Sequence, residues 1–256
     1  YMTSAFIGTA TATAITNPIV MPLAGTWRDT LRLYAFLGFI IAFTWLLLAK
    51  EAPQTQTGRT PSTPMKDTIG KLIRERHVWI IIIIALSAVF FNSYGFTRWL
   101  PKLLELKGMN PTEAGFYASL PGWSGIIGNI IIPSLAKAGS RKPILFITLL
   151  VQGICIYSSA TTSGLPFTTS LIFYGIGLGA AAPLLIVILM DMPQVGAKYI
   201  GAASGILFSI GGIGGFTGPI IVGLLTESTG TILTGMVTLA VLVEAMLIPT
   251  LLIKEK

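Results

Sequence analysis

The sequence predicts an all-α polytopic membrane protein with eight transmembrane helices, and three observations carry that prediction. First, 53% of the 256 residues are hydrophobic and 11% are charged, whereas a soluble domain has about 25% charged residues. The mean hydropathy is +0.79. Second, eight predominantly apolar runs reach the length of about 20 residues that a helix needs to cross a bilayer. Third, Gly201–Gly223 carries eight glycines and no charge. In water such a segment makes a poor helix, since each interior glycine costs roughly 1 kcal/mol relative to alanine. In a bilayer the backbone has no other partner and must close its own hydrogen bonds, and the glycines become surfaces for close helix packing.

In chain order the runs are 2–25, 32–49, 78–103, 112–136, 143–161, 166–190, 197–225 and 231–253. The first contains Asn17-Pro18, polar and prone to kink; Arg32 and Lys50 bound the second. Glu51–His77 is the long linker. Its PQTQTGRTPSTP half is poor in apolar residues and expected to be flexible. Its KDTIGKLIRER half places Ile69, Leu72 and Ile73 on one face among basic residues, which fits a short helix on the membrane surface and equally a solvated basic linker. Asn110-Pro111-Thr112-Glu113 is a helix start, with Asn as cap, Pro at the first position and Glu at the third. The Gly175-x-Gly177-x-Gly179 run before Pro183 resembles a phosphate loop only superficially, because no strand precedes it; it predicts a flexible, kinkable helix. Asp191-Met192-Pro193 ends the sixth run, and Ser158–Pro166 and Glu227–Gly230 are polar turns.

The net charge of +7 does not point to nucleic acid, because the basic residues lie in short connections between apolar runs. With eight spans, one side receives twelve of the 17 Lys and Arg residues and the other five. The richer side, holding the linker and the C-terminus, is expected to be cytoplasmic. The lone Cys155 excludes an intrachain disulfide and a cysteine metal site. One histidine, His77, and one carboxylate well inside a span, Glu244, are too few for metal or acid–base chemistry; no cofactor or metal is expected. The chain begins at Tyr1 inside an apolar run, as a fragment would.

A weak internal repeat is present. A shift of 201 places Asn17-Pro18-Ile19 on Gly218-Pro219-Ile220, Thr16 on Thr217, Leu23 on Leu224 and Thr30 on Thr231. The spacing Gly205-x8-Gly214-x3-Gly218-Pro219-x2-Val222-Gly223 resembles the G-x8-G-x3-G-P-x2-G-G pattern of the major facilitator superfamily, with Val222 the one departure. Trp99-Leu100-Pro101 before Asn110–Gly115 is similar to that family's junction of spans seven and eight. Pro133–Lys142 resembles the loop after span eight, with Leu135, Ala136, Arg141 and Lys142 matching and Lys137 standing where the family has Asp. The texture after Asp191 resembles the cyanate-permease-like and organic-anion-like branches. The resemblance implies a twelve-helix, two-half transporter fold of which this chain is spans five to twelve. Residues 1–50 are then the last two spans of the N-terminal half, 51–77 a cytoplasmic linker and 78–256 the six-span C-terminal half.

The expected function is secondary active transport of a small polar or anionic solute by alternating access, with a coupled proton or counter-ion. The alternatives are a non-transporting receptor or scaffold on the same fold and an integral membrane enzyme. The bilayer of a bacterial or archaeal inner or plasma membrane is the expected setting, without nucleic acid, for a monomer. Polar residues inside spans are the candidate substrate contacts: Asn92, Tyr94, Arg98, Trp123, Asn129 and Tyr174. Phe91, Tyr94 and Arg98 form one helical stripe, and the guanidinium suits a carboxylate; an interfacial anchor beside Trp99 is the other reading. Asn129 and Gln152 are also readable as packing hydrogen bonds, and Glu244 as a structural carboxyl. Gly205, Gly214, Gly218, Pro219 and Gly223 are the conformational and packing residues. Val222, already not glycine, is expected to accept leucine.

Overall fold

The computed structural model describes residues 2–50, 65–137 and 139–253. The PQTQTGRTPSTP half of the linker lies outside them. Nine helices account for the described residues, and no strand occurs among them. They are α1 (Thr3–Ala24), α2 (Trp27–Leu48), α3 (Met65–Arg74), α4 (Arg76–Leu106), α5 (Pro111–Leu135), α6 (Arg141–Thr161), α7 (Leu165–Asp191), α8 (Gly196–Thr229) and α9 (Ile232–Leu251). Seven are long and apolar enough to cross a membrane. The eighth expected span, α5, has 25 residues, ample length for a crossing, but its Thr, Glu, Ser, Asn and Pro residues make it less apolar.

Local chemistry sets the helix ends more sharply than hydropathy does. The second span starts at Trp27 rather than 32, because Thr26 caps it: the Asp29 amide donates to the Thr26 hydroxyl at 3.2 Å. At the start of α5 the reciprocal cap forms as read. The Glu113 amide donates to Asn110 Oδ1 at 2.9 Å, and the Asn110 amide donates to Glu113 Oε2 at 3.1 Å. Gly230, at φ 71°, ends α8 in the left-handed region that suits glycine. Two spans contain π-helical segments, Thr16–Val20 in α1 and Ala85–Phe91 in α4. In α1 the cause is Pro18, which has no N–H to give the regular ladder. The basic half of the linker forms α3, which tucks Leu72, 2% exposed, into the bundle while leaving Ile73 outside.

Glycines decide how the spans meet. At the α5–α7 crossing, a Cβ on Gly128 would strike the Ile176 carbonyl, and one on Gly179 the Gly125 carbonyl. Gly175 faces Ser124 Oγ and the Pro121 carbonyl in the same way. These glycines therefore bring two backbones together. Gly177 accommodates Gln152 of α6; Gln152 is buried, but its Oε1 has no hydrogen-bond partner among the described residues.

The glycine-rich helix α8 packs on α4. Gly214 receives the Leu86 carbonyl, Gly218 the Phe91 carbonyl, and Gly211 the Phe90 ring. Both carbonyls belong to the π-helical segment of α4. Gly205 has a different environment from the one the spacing suggested: nothing lies within 4 Å of a Cβ built there, nor at Gly201 or Gly212. Val222 also departs from expectation. It is 1% exposed and packs on α9, its Cγ1 only 2.8 Å from the position a Cβ on Gly235 would take. A longer side chain at 222 would overpack that contact.

The α1–α2 hairpin joins the other spans through α1, which lies along α5 with Ala10 over Gly122 and Phe6 over Gly125. Helix α2 stays outside, with Phe36, Phe39, Trp45 and Leu48 all exposed.

Candidate functional site

Tyr94 and Arg98 of the stripe read on the third span stand on one face of α4, and the neighbouring candidate Asn92 stands on another. On the face toward α8, the Tyr94 ring lies 3.2 Å from where a Cβ of Gly215 would be. The Arg98 guanidinium carbon sits 5.8 Å from the Tyr94 ring centroid, close enough for a cation–π contact. Both side chains are exposed. Arg98 makes no ion pair with any described residue. It precedes Leu106, the end of α4, by eight positions, or about 12 Å of helix. Trp99 completes this face: its Nε1 donates to the Pro219 carbonyl at 2.9 Å, and its ring covers Gly223. That carbonyl lies in the first turn after Gly218, so the indole clamps α8 where proline interrupts the ladder.

Asn92 faces the other way. It is 1% exposed; its Nδ2 donates to the Leu239 carbonyl of α9 at 3.3 Å, and its Oδ1 accepts from the Tyr174 hydroxyl of α7 at 3.4 Å. Tyr174 is likewise 1% exposed and lies 4.4 Å from the Phe96 ring, centroid to centroid. The pair forms a closed polar knot among α4, α7 and α9, with no surface left for a solute. The cost of placing an amide and a phenol in an apolar interior is offset because each finds a partner.

Asn129 of α5 also spends its side chain on neighbouring helices. Its Nδ2 donates to the Gly179 carbonyl at 3.1 Å and its Oδ1 accepts from the Thr3 hydroxyl at 2.9 Å. One amide thus ties α1, α5 and α7. Trp123 is 43% exposed on α5. The six candidate contacts are therefore not one constellation. Tyr94 and Arg98 stand together and open, Trp123 is open on another helix, and Asn92, Tyr174 and Asn129 are engaged in packing.

Several polar residues outside the six candidate contacts also tie the helices together. Asn17 Nδ2 donates to the Pro111 carbonyl at 3.1 Å, fastening the far end of α1 to the start of α5. With Thr3–Asn129 at the opposite end, it brackets the α1–α5 seam. Arg141 forms an ion pair with Asp191, and its Nε donates to the Ala136 carbonyl at 3.2 Å. The loop after α5 is thereby held to the end of α7, although Lys137 stands where the motif has Asp. A lone carboxylate closing an apolar run was the available signal for Asp191. Lys107 donates to the Thr162 carbonyl at 2.6 Å and sits 5.1 Å above the Phe167 ring centroid; burial holds its pKa below the usual lysine value. Glu244 points at Gly153 of α6, away from the Arg98 face, and its Oε1 has no hydrogen-bond partner among the described residues.

The sequence model described as Major Facilitator Superfamily matches residues 1–219. The chain belongs to that superfamily. Among its relatives, the hexuronate transporter of Bacillus subtilis strain 168 is 24% identical over 246 residues, covering 88% of this chain and 57% of the relative. The nitrite extrusion protein of the same organism is 27% identical over 252 residues, covering 91% and 57%. The crystal structure of the E. coli fucose:proton symporter FucP superposes with a TM-score of 0.69 at 16% identity, covering 89% of this chain and 57% of that one. The chain thus spans little more than half the length of these relatives. The fold and family are those of major facilitator transporters, not of an enzyme.

Proposed function

We propose that this chain is part of a secondary transporter that moves a small anionic solute across the membrane by alternating access, and that Arg98 with Tyr94 contacts the solute. The observation that carries the proposal is the exposed Arg98 guanidinium, lying over Tyr94 on a membrane-spanning helix with no carboxylate partner among the described residues. A planar fork of N–H donors suits a carboxylate or a similar oxyanion. The relatives named for hexuronate and for nitrite, both anions, support the choice of charge. In this reading 1–50 and 78–256 belong to two halves joined by 51–77, and the α1–α5 contact is where they meet. A proton or counter-ion is the coupled species, and the transporter works as a monomer in an inner or plasma membrane.

The test is uptake by the full-length protein in vesicles. A charge-assisted hydrogen bond is worth about 1.5–3 kcal/mol. Arg98→Gln is therefore expected to lower apparent solute affinity roughly 10- to 150-fold, with Arg98→Lys falling between it and the parent. Expression should be unchanged. Unchanged uptake by Arg98→Gln would make Arg98 an interfacial anchor and remove the anionic assignment.

The twelve-to-five distribution of basic residues supports a cytoplasmic linker and C-terminus. A topology reporter inserted within 53–64 is expected to be cytoplasmic, and one within 107–110 external. Both reporters on one side would mean that α4 does not cross.

A further inference from the structure

We propose that the elbow between α3 and α4 is a docking site for an anionic phospholipid of the adjacent leaflet. The elbow is Glu75, whose extended backbone (φ −83°, ψ 114°) separates the last turn of α3 from the first of α4. The two helices are fixed to each other there, because Trp79 Nε1 donates to the Ile73 carbonyl at 2.6 Å. Leu72, on the inner side of α3, is buried in the bundle. The outer side presents two kinds of surface together. Ile73 and Trp79 are 45% and 38% exposed and apolar. Lys71, Arg74 and Arg76 are exposed, and none of them pairs with a described carboxylate.

This combination selects a lipid over other occupants. Lys71, Arg74 and Arg76 outnumber the nearby carboxylate of Glu75, and α3 as a whole carries Lys66, Lys71 and Arg74 against Asp67, so the elbow is positive and the partner carries negative charge. The apolar pair lies in the first turn of a membrane-spanning helix and in the last turn of its leader, at the depth where tryptophan marks the bilayer interface. An acyl chain can lie along Ile73 and Trp79 while its phosphate meets the Lys and Arg heads, which reach toward the headgroups on flexible stems. A soluble phosphate would find the cations but gain nothing from the two apolar side chains. Juxtamembrane basic residues attract anionic lipid additively, and the Trp79–Ile73 bond holds these three in a fixed relation.

The experiment uses the full-length protein in nanodiscs of phosphatidylglycerol and phosphatidylcholine, with retained lipid counted by native mass spectrometry. The parent is expected to retain phosphatidylglycerol in preference to phosphatidylcholine. The variant Lys71→Gln, Arg74→Gln, Arg76→Gln is expected to lose roughly 10- to 100-fold of that preference. Arg74→Lys with Arg76→Lys should keep most of it, and Lys102→Gln, near the other end of α4, should keep all of it. Saturating inorganic phosphate should displace none. The proposal is overturned if the triple variant, folded by size-exclusion profile, keeps the parent's preference. It is also overturned if Lys102→Gln loses as much, or if free phosphate strips the lipid.

Discussion

Gly179→Leu is expected to abolish accumulation of folded protein. The Cβ of any side chain at 179 would meet the Gly125 carbonyl and approach the Asn129 amide at 2.9 Å. Both are backbone atoms of a packed helix, so neither can rotate away as a side chain would. Overpacking a core contact costs about 1–3 kcal/mol when neighbours adjust; here relief requires α5 and α7 to move apart. That separation would also break the Asn129–Gly179 hydrogen bond and leave the half-buried Asn129 Nδ2 unpaired. The sum reaches the lower end of the stability of a typical domain, about 5–15 kcal/mol. Gly128→Leu, which meets the Ile176 carbonyl across the same crossing, should behave alike. Gly38→Leu on α2 has open space around it and serves as the comparison. Fluorescence-detected size exclusion after detergent extraction reads the outcome. A monodisperse Gly179→Leu peak at parental yield would show that α5 and α7 do not cross this closely.

Gly214→Leu and Gly218→Leu are expected to separate α8 from α4 and to stop uptake by the full-length protein. In each, the new side chain meets a carbonyl of the π-helical segment in α4, Leu86 or Phe91. Loosening that contact also frees Trp99 from Pro219 and Tyr94 from Gly215, and so displaces the Arg98 stripe. A loss of about 3 kcal/mol or more is expected for each substitution, read as a lower midpoint in a thermal unfolding assay. Gly212→Leu, on the open side of the same helix, should match the parent. Val222→Leu should fall between them, since Val222 is buried against α9. Motif spacing alone ranks these positions differently, with 222 tolerant and 205 sensitive. Equal tolerance at 212, 214 and 218 would mean that α8 does not pack on α4 through its glycines.

Much of the architecture was legible in the residues themselves. The eight apolar runs each became a helix, seven of them apolar enough to cross a membrane, because a backbone in lipid has no alternative to the helix once the side chains are apolar. The start of α5 was legible to the residue, because Asn110 and Glu113 satisfy free amides of the first turn locally. The start of the second span was less sharp: Thr26 caps it at the same three-residue spacing, but polar Arg28 and Asp29 placed that first turn outside the apolar run. The candidate site was only half legible. Tyr94 and Arg98 share a face by helical period alone, and they do stand together. Asn92 lies two residues away from Tyr94, and period cannot say whether it meets a solute or another helix.

The sequence by itself determined the membrane class, the order of the spans, the cap of α5 and the stripe that carries Arg98. Each of these depends on residues a few positions apart, within reach of one helical turn or one run of apolar side chains. Only the tertiary structure decided which glycines are contacts and which are open, since Gly205 and Gly214 are chemically identical and differ in what lies opposite. It likewise decided that Asn92 and Tyr174, 82 positions apart, satisfy each other, and that Arg141 pairs with Asp191. A polar group in a span must find a partner, and the choice of partner depends on how helices distant in sequence are set side by side.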